Sequence, residues 1–141
     1  APGVIESLKN ADAVVAGPGD LYTTILPTLI VPGIAKELKK SKKRKVFIVN
    51  VANKPVETKG YKVLDYINAI KKHLGSFPFD TIIVNNNFSI KIPKKYKYDY
   101  VTFDSVNSKQ KFEVLKKDLV DESFPLYHDS LKLAKTIKAI I

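Results

Sequence analysis

The sequence predicts an α/β fold on a mainly parallel sheet, and three observations carry that expectation. Residues 13–16, 45–50 and 81–84 are compact apolar runs, each stopped by a polar or Gly-Pro turn, as strands buried in a sheet are. Between them lie segments whose apolar residues recur at helical spacing. The order strand, helix, strand, helix, strand requires each helix to pack back on the sheet, which makes the crossovers right-handed and the strands parallel. The class is therefore Rossmann-like and three-layered, with strands alternating with helices.

The elements follow in chain order. Val4, Ile5 and Leu8 lie about one turn apart, and Pro2 stands where its missing N–H is harmless, so residues 2–10 read as a short helix. Ala13–Ala16 reads as a strand buried on both faces and ended by Gly17-Pro18-Gly19. Asp20 is placed to cap a helix starting at Leu21, which Pro27 and then Pro32-Gly33 interrupt before another helix over residues 34–40. Residues 45–50 are the clearest strand, β-branched and aromatic. A loop over residues 51–61 leads to Val63, Leu64, Ile67, Ile70 and Leu74 at helical spacing, with Gly75 where a C-terminal cap belongs. Residues 81–84 make a third buried strand ending at Asn85-Asn86-Asn87. Beyond Phe88, residues 100–103 are read as a fourth strand, residues 112–120 fit either element type, and residues 128–141 form an amphipathic helix.

Composition narrows the functional classes. The 141 residues, 45% hydrophobic, fit one α/β domain. With no cysteine, disulfides, zinc-thiolate sites and cysteine nucleophiles are excluded, and the composition fits a cytoplasmic protein. The longest apolar stretch, residues 26–34, carries two prolines and is far below the roughly 20 residues of a membrane helix, so no membrane partner is expected. The start lacks the features of a secretory signal, and methionine is absent even at position 1, which suggests either a processed chain or a segment of a longer one. A formal charge of +10 favours anionic partners, yet it comes as lysine runs with Arg44 as the single arginine. Arginine is the preferred bidentate reader of phosphate and guanine, so the lysines read as solvated faces and argue against nucleic-acid recognition.

In open parallel sheets ligands bind beyond the carboxyl ends of the strands. Three loops reach that rim: residues 17–24, 50–61 and 85–87. In the first, Gly17 and Gly19 allow close approach of backbone N–H groups, the helix start adds a positive dipole end, Thr23 and Thr24 add hydroxyls, and Tyr22 could stack on a base. That turn serves either as a phosphate cradle or as an ordinary βα turn needing glycine. Tyr22 fills the third glycine's place of G-x-G-x-x-G and the second strand ends in Asn50, so the spacing does not support NAD binding. The long second loop is either a ligand loop or an exposed connection. Asp65 reads as a capping carboxylate rather than a general base. His73 and His128 make no metal pair by spacing and read as surface or capping histidines, and no catalytic residue is assigned.

Residues 11–34, ADAVVAGPGDLYTTILPTLIVPGI, resemble the AD-x-x-x-GPGSLYTS-x-x-PNLLVPGI signature of the YvcK/CofD-like family, nearer its gluconeogenesis-factor branch. The resemblance continues through residues 45–51, Glu57-Thr58, Gly60-Tyr61, Asp65, Ala69-Ile70 and His73. It implies a modified Rossmann fold and the carboxyl-terminal half of a longer protein. For the YvcK branch it implies binding of a UDP-sugar such as UDP-N-acetylglucosamine, and a link to carbon metabolism, cell-wall supply and cell shape without an established reaction. The sister branch implies a 2-phospholactate transferase of coenzyme F420 biosynthesis that uses a nucleotide-activated substrate and Mg2+. The ligand-binding residues expected are Gly17, Pro18, Gly19, Asp20, Leu21, Tyr22, Thr23, Thr24, Asn50, Asn53, Glu57, Thr58 and Asp65. The family's other half carries a G-G-G-T-G loop that these residues do not include. Homo-oligomerisation is left open. Asp20 stands where the family has serine, Val56 where it has glycine, Lys59 where it has aspartate, Tyr66 where it has histidine, and Tyr127 where it often has arginine. A carboxylate at position 20 repels phosphate unless it caps the helix or faces a metal.

Overall fold

A computed structural model describes residues 1–104 and 110–141. The order is α1 (Val4–Asn10), β1 (Ala13–Ala16), a π-turn (Leu21–Ile25) running into α2 (Leu26–Leu29), α3 (Pro32–Lys40), β2 (Arg44–Ile48), β3 (Ala52–Asn53), α4 (Val63–Leu74), β4 (Thr81–Asn85), a 3-10 turn (Lys94–Tyr96), β5 (Asp99–Tyr100), β6 (Glu113–Lys117) and α5 (Ser130–Lys138). Four strands form the main sheet in the order β1-β2-β4-β6, every neighbouring pair parallel. The three-layer α/β class is as expected.

The sheet's two faces are covered unequally. Phe47, Val49, Ile82 and Val84 point into a large core with Leu26, Leu29 and Leu38 from α2 and α3 and Ile67 and Ile70 from α4. Burial of each such side chain contributes about 1.5–3 kcal/mol. On the opposite face Val46, Ile48 and Ile83 meet a smaller set, Leu119 with Leu133 of α5. Strands that step in one direction with right-handed crossovers put their connecting helices on one side, so the other side is left to α5.

Four expectations are corrected. β1 is not buried on both faces: it is the sheet's edge strand, and Val15 keeps 39% of its surface exposed. Pro27 does not break the helix. The Leu26 N–H reaches back to Leu21 O in the wide π spacing, and Pro27, with no amide to give, sits where the chain returns to α geometry. The helix does break before Pro32, α2 ending at Leu29, but α3 starts at Pro32 itself rather than at Ile34. The fourth strand of the main sheet is β6, in the segment that fitted either type, whereas Asp99–Tyr100 pairs antiparallel with β3 inside the loop expected to be irregular. Among the described residues no helix is long and apolar enough to cross a membrane.

Candidate functional site

The turn leaving β1 is held tightly. Gly17 has φ +91°, and a β-carbon there would lie 2.7 Å from the carbonyl oxygen of Ile48, so β1 and β2 approach each other too closely for any side chain. Gly19 N–H donates to Asn50 Oδ1 at 3.0 Å, tying the first loop to the second. The Asp20 carbonyl accepts the N–H groups of Thr24 and Ile25 and starts the π-turn. Its carboxylate does not cap that turn; it pairs with Lys54 Nζ. The cap comes from the other loop, where Glu57 Oε1 accepts both the Tyr22 and Thr23 N–H groups, each at 3.0 Å. A carboxylate of the protein thus occupies the place in which the turn would hold an anion.

The second loop is fastened from inside. Asn53 is fully buried: its Nδ2 donates to Tyr61 O at 2.7 Å and to the Asp99 carboxylate at 3.0 Å. Tyr66 donates to Asn53 Oδ1 at 3.0 Å and reaches Thr58 Oγ1 at 3.3 Å, and Thr58 also accepts the Lys54 N–H. Burial pushes the Tyr66 hydroxyl up to about 12, so it remains a donor across physiological pH. Tyr22 turns away, its hydroxyl 2.9 Å from that of Tyr61; that contact, with burial second, pushes it to about 12. Asp65 accepts the Lys62 N–H at 2.7 Å as an α4 cap. The third rim loop closes on β6: Asn85 Oδ1 accepts Leu119 N–H, and Asn87 Nδ2 donates to Asp118, which Lys132 holds below the usual carboxylate range.

A cavity of about 280 Å³ opens beyond the carboxyl ends of β1 and β2. One side is Pro18, Gly19 and Asp20; another is Asn50, Val51, Ala52 and Lys54. Tyr98, Leu126, Tyr127 and His128 complete it. The last three arrive through a return loop clamped at its base by Asp121 N–H to Tyr127 O at 3.0 Å and Asp129 N–H to Leu119 O at 2.8 Å. Asp121 bends that loop by accepting the Ser123 and Phe124 N–H groups, and these bonds, with the Ser123 hydroxyl foremost, lower its pKa. Phe124 stacks on Tyr127 with centroids 5.3 Å apart.

His128 corrects the reading of a surface or capping residue. Its Nε2 lies 3.2 Å from the Val49 carbonyl oxygen, so Nε2 carries the proton and Nδ1 keeps a free lone pair. Burial drives its pKa down to about 4, outweighing the opposing pull of that hydrogen bond, and the ring is neutral at physiological pH.

Of the thirteen expected site residues, Pro18, Gly19, Asp20 and Asn50 line the cavity. Gly17 serves strand packing, Leu21 is core at 1% exposure, and Tyr22, Thr23 and Thr24 are not among its lining residues. Asn53, Glu57, Thr58 and Asp65 hold loops and caps together. Lys54, Tyr98, Tyr127 and His128 were not expected there. The adjacent Tyr127-His128 pair after a Pro-containing loop was the available signal, but its approach to β2 depends on contacts more than seventy residues apart, with |i−j| of 79 for His128 and Val49. Among the described residues no three Asp, Glu, His or Cys side chains converge to hold a metal, and Asp20 is paired with Lys54.

The family described as 2-phospho-L-lactate transferase CofD matches residues 1–122. The chain belongs to the CofD family. Within it, the chain is similar to the gluconeogenesis factor of Bacillus subtilis (strain 168), 36% identical over 142 residues that cover 96% of this chain and 45% of that protein. It is 46% identical over 81 residues to the gluconeogenesis factor of Halalkalibacterium halodurans, covering 57% of this chain and 25% of that one. The crystal structure of a UPF0052 family member from Bacillus halodurans superposes with a TM-score of 0.83 at 33% identity, over 98% of this chain and 46% of that one. The chain therefore spans about half the length of the CofD-family relatives it matches.

Proposed function

We propose that this CofD-family chain forms part of a nucleotide-sugar binding protein, of UDP-sugar type, that acts in regulation linked to carbon metabolism and to cell-wall supply and cell shape. The observation that carries the reading is the cavity at the carboxyl rim of β1 and β2, where Asn50, Tyr98, Tyr127 and His128 supply aromatic faces and uncharged polar groups. This is the edge at which parallel α/β sheets bind nucleotides, and aromatic walls with a few convergent polar groups suit a base or sugar. The similarity to gluconeogenesis factors supports the regulatory part. Calorimetric titration of the intact protein with UDP-N-acetylglucosamine is the test: saturable heat is expected, and none at millimolar ligand would sink the reading.

A second reading, a 2-phospholactate transferase or related phosphate-ester transferase using Mg2+, is favoured by the description of the matching family. It expects magnesium-dependent consumption of a nucleotide-activated substrate by the intact protein, measured as release of the nucleotide. Saturable UDP-sugar binding without turnover would leave the first reading standing and remove the second.

A further inference from the structure

The charges around the cavity cancel where they stand. Asp20 and Lys54 are the charged side chains among its lining residues, and they pair with each other. The neighbouring amides are equally committed, Gly19 to Asn50 and Tyr22 and Thr23 to Glu57. A diphosphate entering here would shed water against a wall where the Lys54 ammonium and the Gly19 and Lys54 N–H groups already have partners, which is costly for an anion. The other lining groups suit a different guest. Tyr98 and Tyr127 offer ring surface, Val51 and Leu126 apolar surface, and His128 an unshared electron pair at Nδ1.

We propose that the cavity takes the uncharged, hydrogen-bond-donating part of the nucleotide-sugar, with His128 Nδ1 accepting from it, while the diphosphate lies outside. This rests on the nucleotide-sugar reading and states which part of that ligand enters. A uracil imide N–H, a sugar hydroxyl and an acetamido N–H are all donors that such an acceptor selects over groups lacking the hydrogen. The burial that keeps the ring neutral keeps Nδ1 an acceptor.

His73 and His128 are the two histidines of these 141 residues, and in the intact protein labelled with isotopic histidine the His128 ring signal is assigned by its loss in His128→Gln. The intact protein is titrated with UDP-N-acetylglucosamine, UDP and inorganic pyrophosphate while the ring nitrogens are followed by NMR. UDP-N-acetylglucosamine is expected to move the His128 Nδ1 signal, and pyrophosphate is not. Movement with UDP as well identifies the uridine as the donor, and movement only with the complete ligand identifies the N-acetylglucosamine. In parallel, His128→Gln keeps an amide that can donate toward Val49 but displaces the acceptor from the Nδ1 position to its own Oε1. It should keep the wild-type unfolding midpoint at neutral pH and bind UDP-N-acetylglucosamine about tenfold more weakly, the loss of one hydrogen bond. A silent Nδ1 at saturating UDP-N-acetylglucosamine, movement with pyrophosphate, or undiminished binding by a folded His128→Gln overturns the proposal while the nucleotide-sugar reading survives. If that variant fails to fold, the wild-type NMR titration decides. No binding at all overturns both.

Discussion

The turn after β1 and the return loop ending at His128 both reach the carboxyl rim, but their polar groups have different fates. In the turn, Gly19, Tyr22 and Thr23 give their N–H groups to Asn50 and Glu57, and Asp20 and Lys54 satisfy each other. At the return loop, His128 uses one ring nitrogen on Val49, lines the cavity, and has no second side-chain hydrogen bond among the described residues. A glycine-rich turn at a helix start is thus no guarantee of an anion site. What decides is whether the rest of the chain has already supplied the acceptor.

The contrast is most severely tested at Gly17, on the sealed side. Gly17→Ala should cost about 4 kcal/mol in denaturant unfolding, combining a left-handed backbone with a contact to a main-chain oxygen that cannot retreat. Gly60, at φ +73° with nothing near its hypothetical β-carbon, is the control, and Ala there should cost about 1 kcal/mol. Equal costs would mean that the β1–β2 approach is looser than described.

On the open side, acid is the probe. The unfolded chain takes up a proton on His128 near pH 6.5, while the folded chain refuses it until about 4. The depressed pKa therefore contributes stability that is complete above pH 6.5 and is lost as pH falls toward 4, in all about 3 kcal/mol. His128→Gln should flatten that limb of the stability–pH curve. An unchanged limb would show that His128 titrates alike in both states.

Glu57→Ala should strip the acceptor from two amides and cost about 2 kcal/mol of stability, yet change UDP-sugar affinity by less than about twofold. If affinity collapses while stability holds, the π-turn belongs to the open class after all. Asp20→Ser should have the smallest effect on stability, under about 1 kcal/mol, because its ion pair with Lys54 is partly exposed. Freed Lys54 should raise pyrophosphate affinity, measured by calorimetry; no gain would mean that Lys54 does not face the ligand.

Most of the scaffold could be read from periodicity. β2, β4 and α4 carry strong local patterns that tertiary contacts reinforce, and the stop at Gly75 is a local left-handed cap. β1 was misjudged because Ala-Val-Val-Ala reads alike at the centre and edge of a sheet, and edge position is a property of neighbours. β6 was hidden because Glu113, Lys116 and Lys117 dilute a strand whose pairing to β4 is set by distant contacts. Of the eleven residues that line the cavity, four were legible. Pro18, Gly19, Asp20 and Asn50 could be placed because any ligand at the end of a parallel strand meets the loop that follows it. Asn53, Thr58 and Glu57 looked like ligand groups because polar residues in a long loop carry no sign of whether they face outward or tie the loop to itself. Only the partners of Tyr66 and of the Tyr22 and Thr23 amides distinguish those cases.

The unequal covering of the sheet has a dynamic consequence for the cavity. His128 immediately precedes Asp129, the residue whose carboxylate caps α5, and among the described residues α5 is the helix that packs on the smaller core. Detachment of that helix would lift one wall away while the larger core stays packed. Local opening draws on the free energy of the smaller unit alone, so amide exchange in α5 and the return loop should outpace that of β2 and β4. Entry and exit of a guest can then proceed by undocking a single helix, with the parallel sheet left standing.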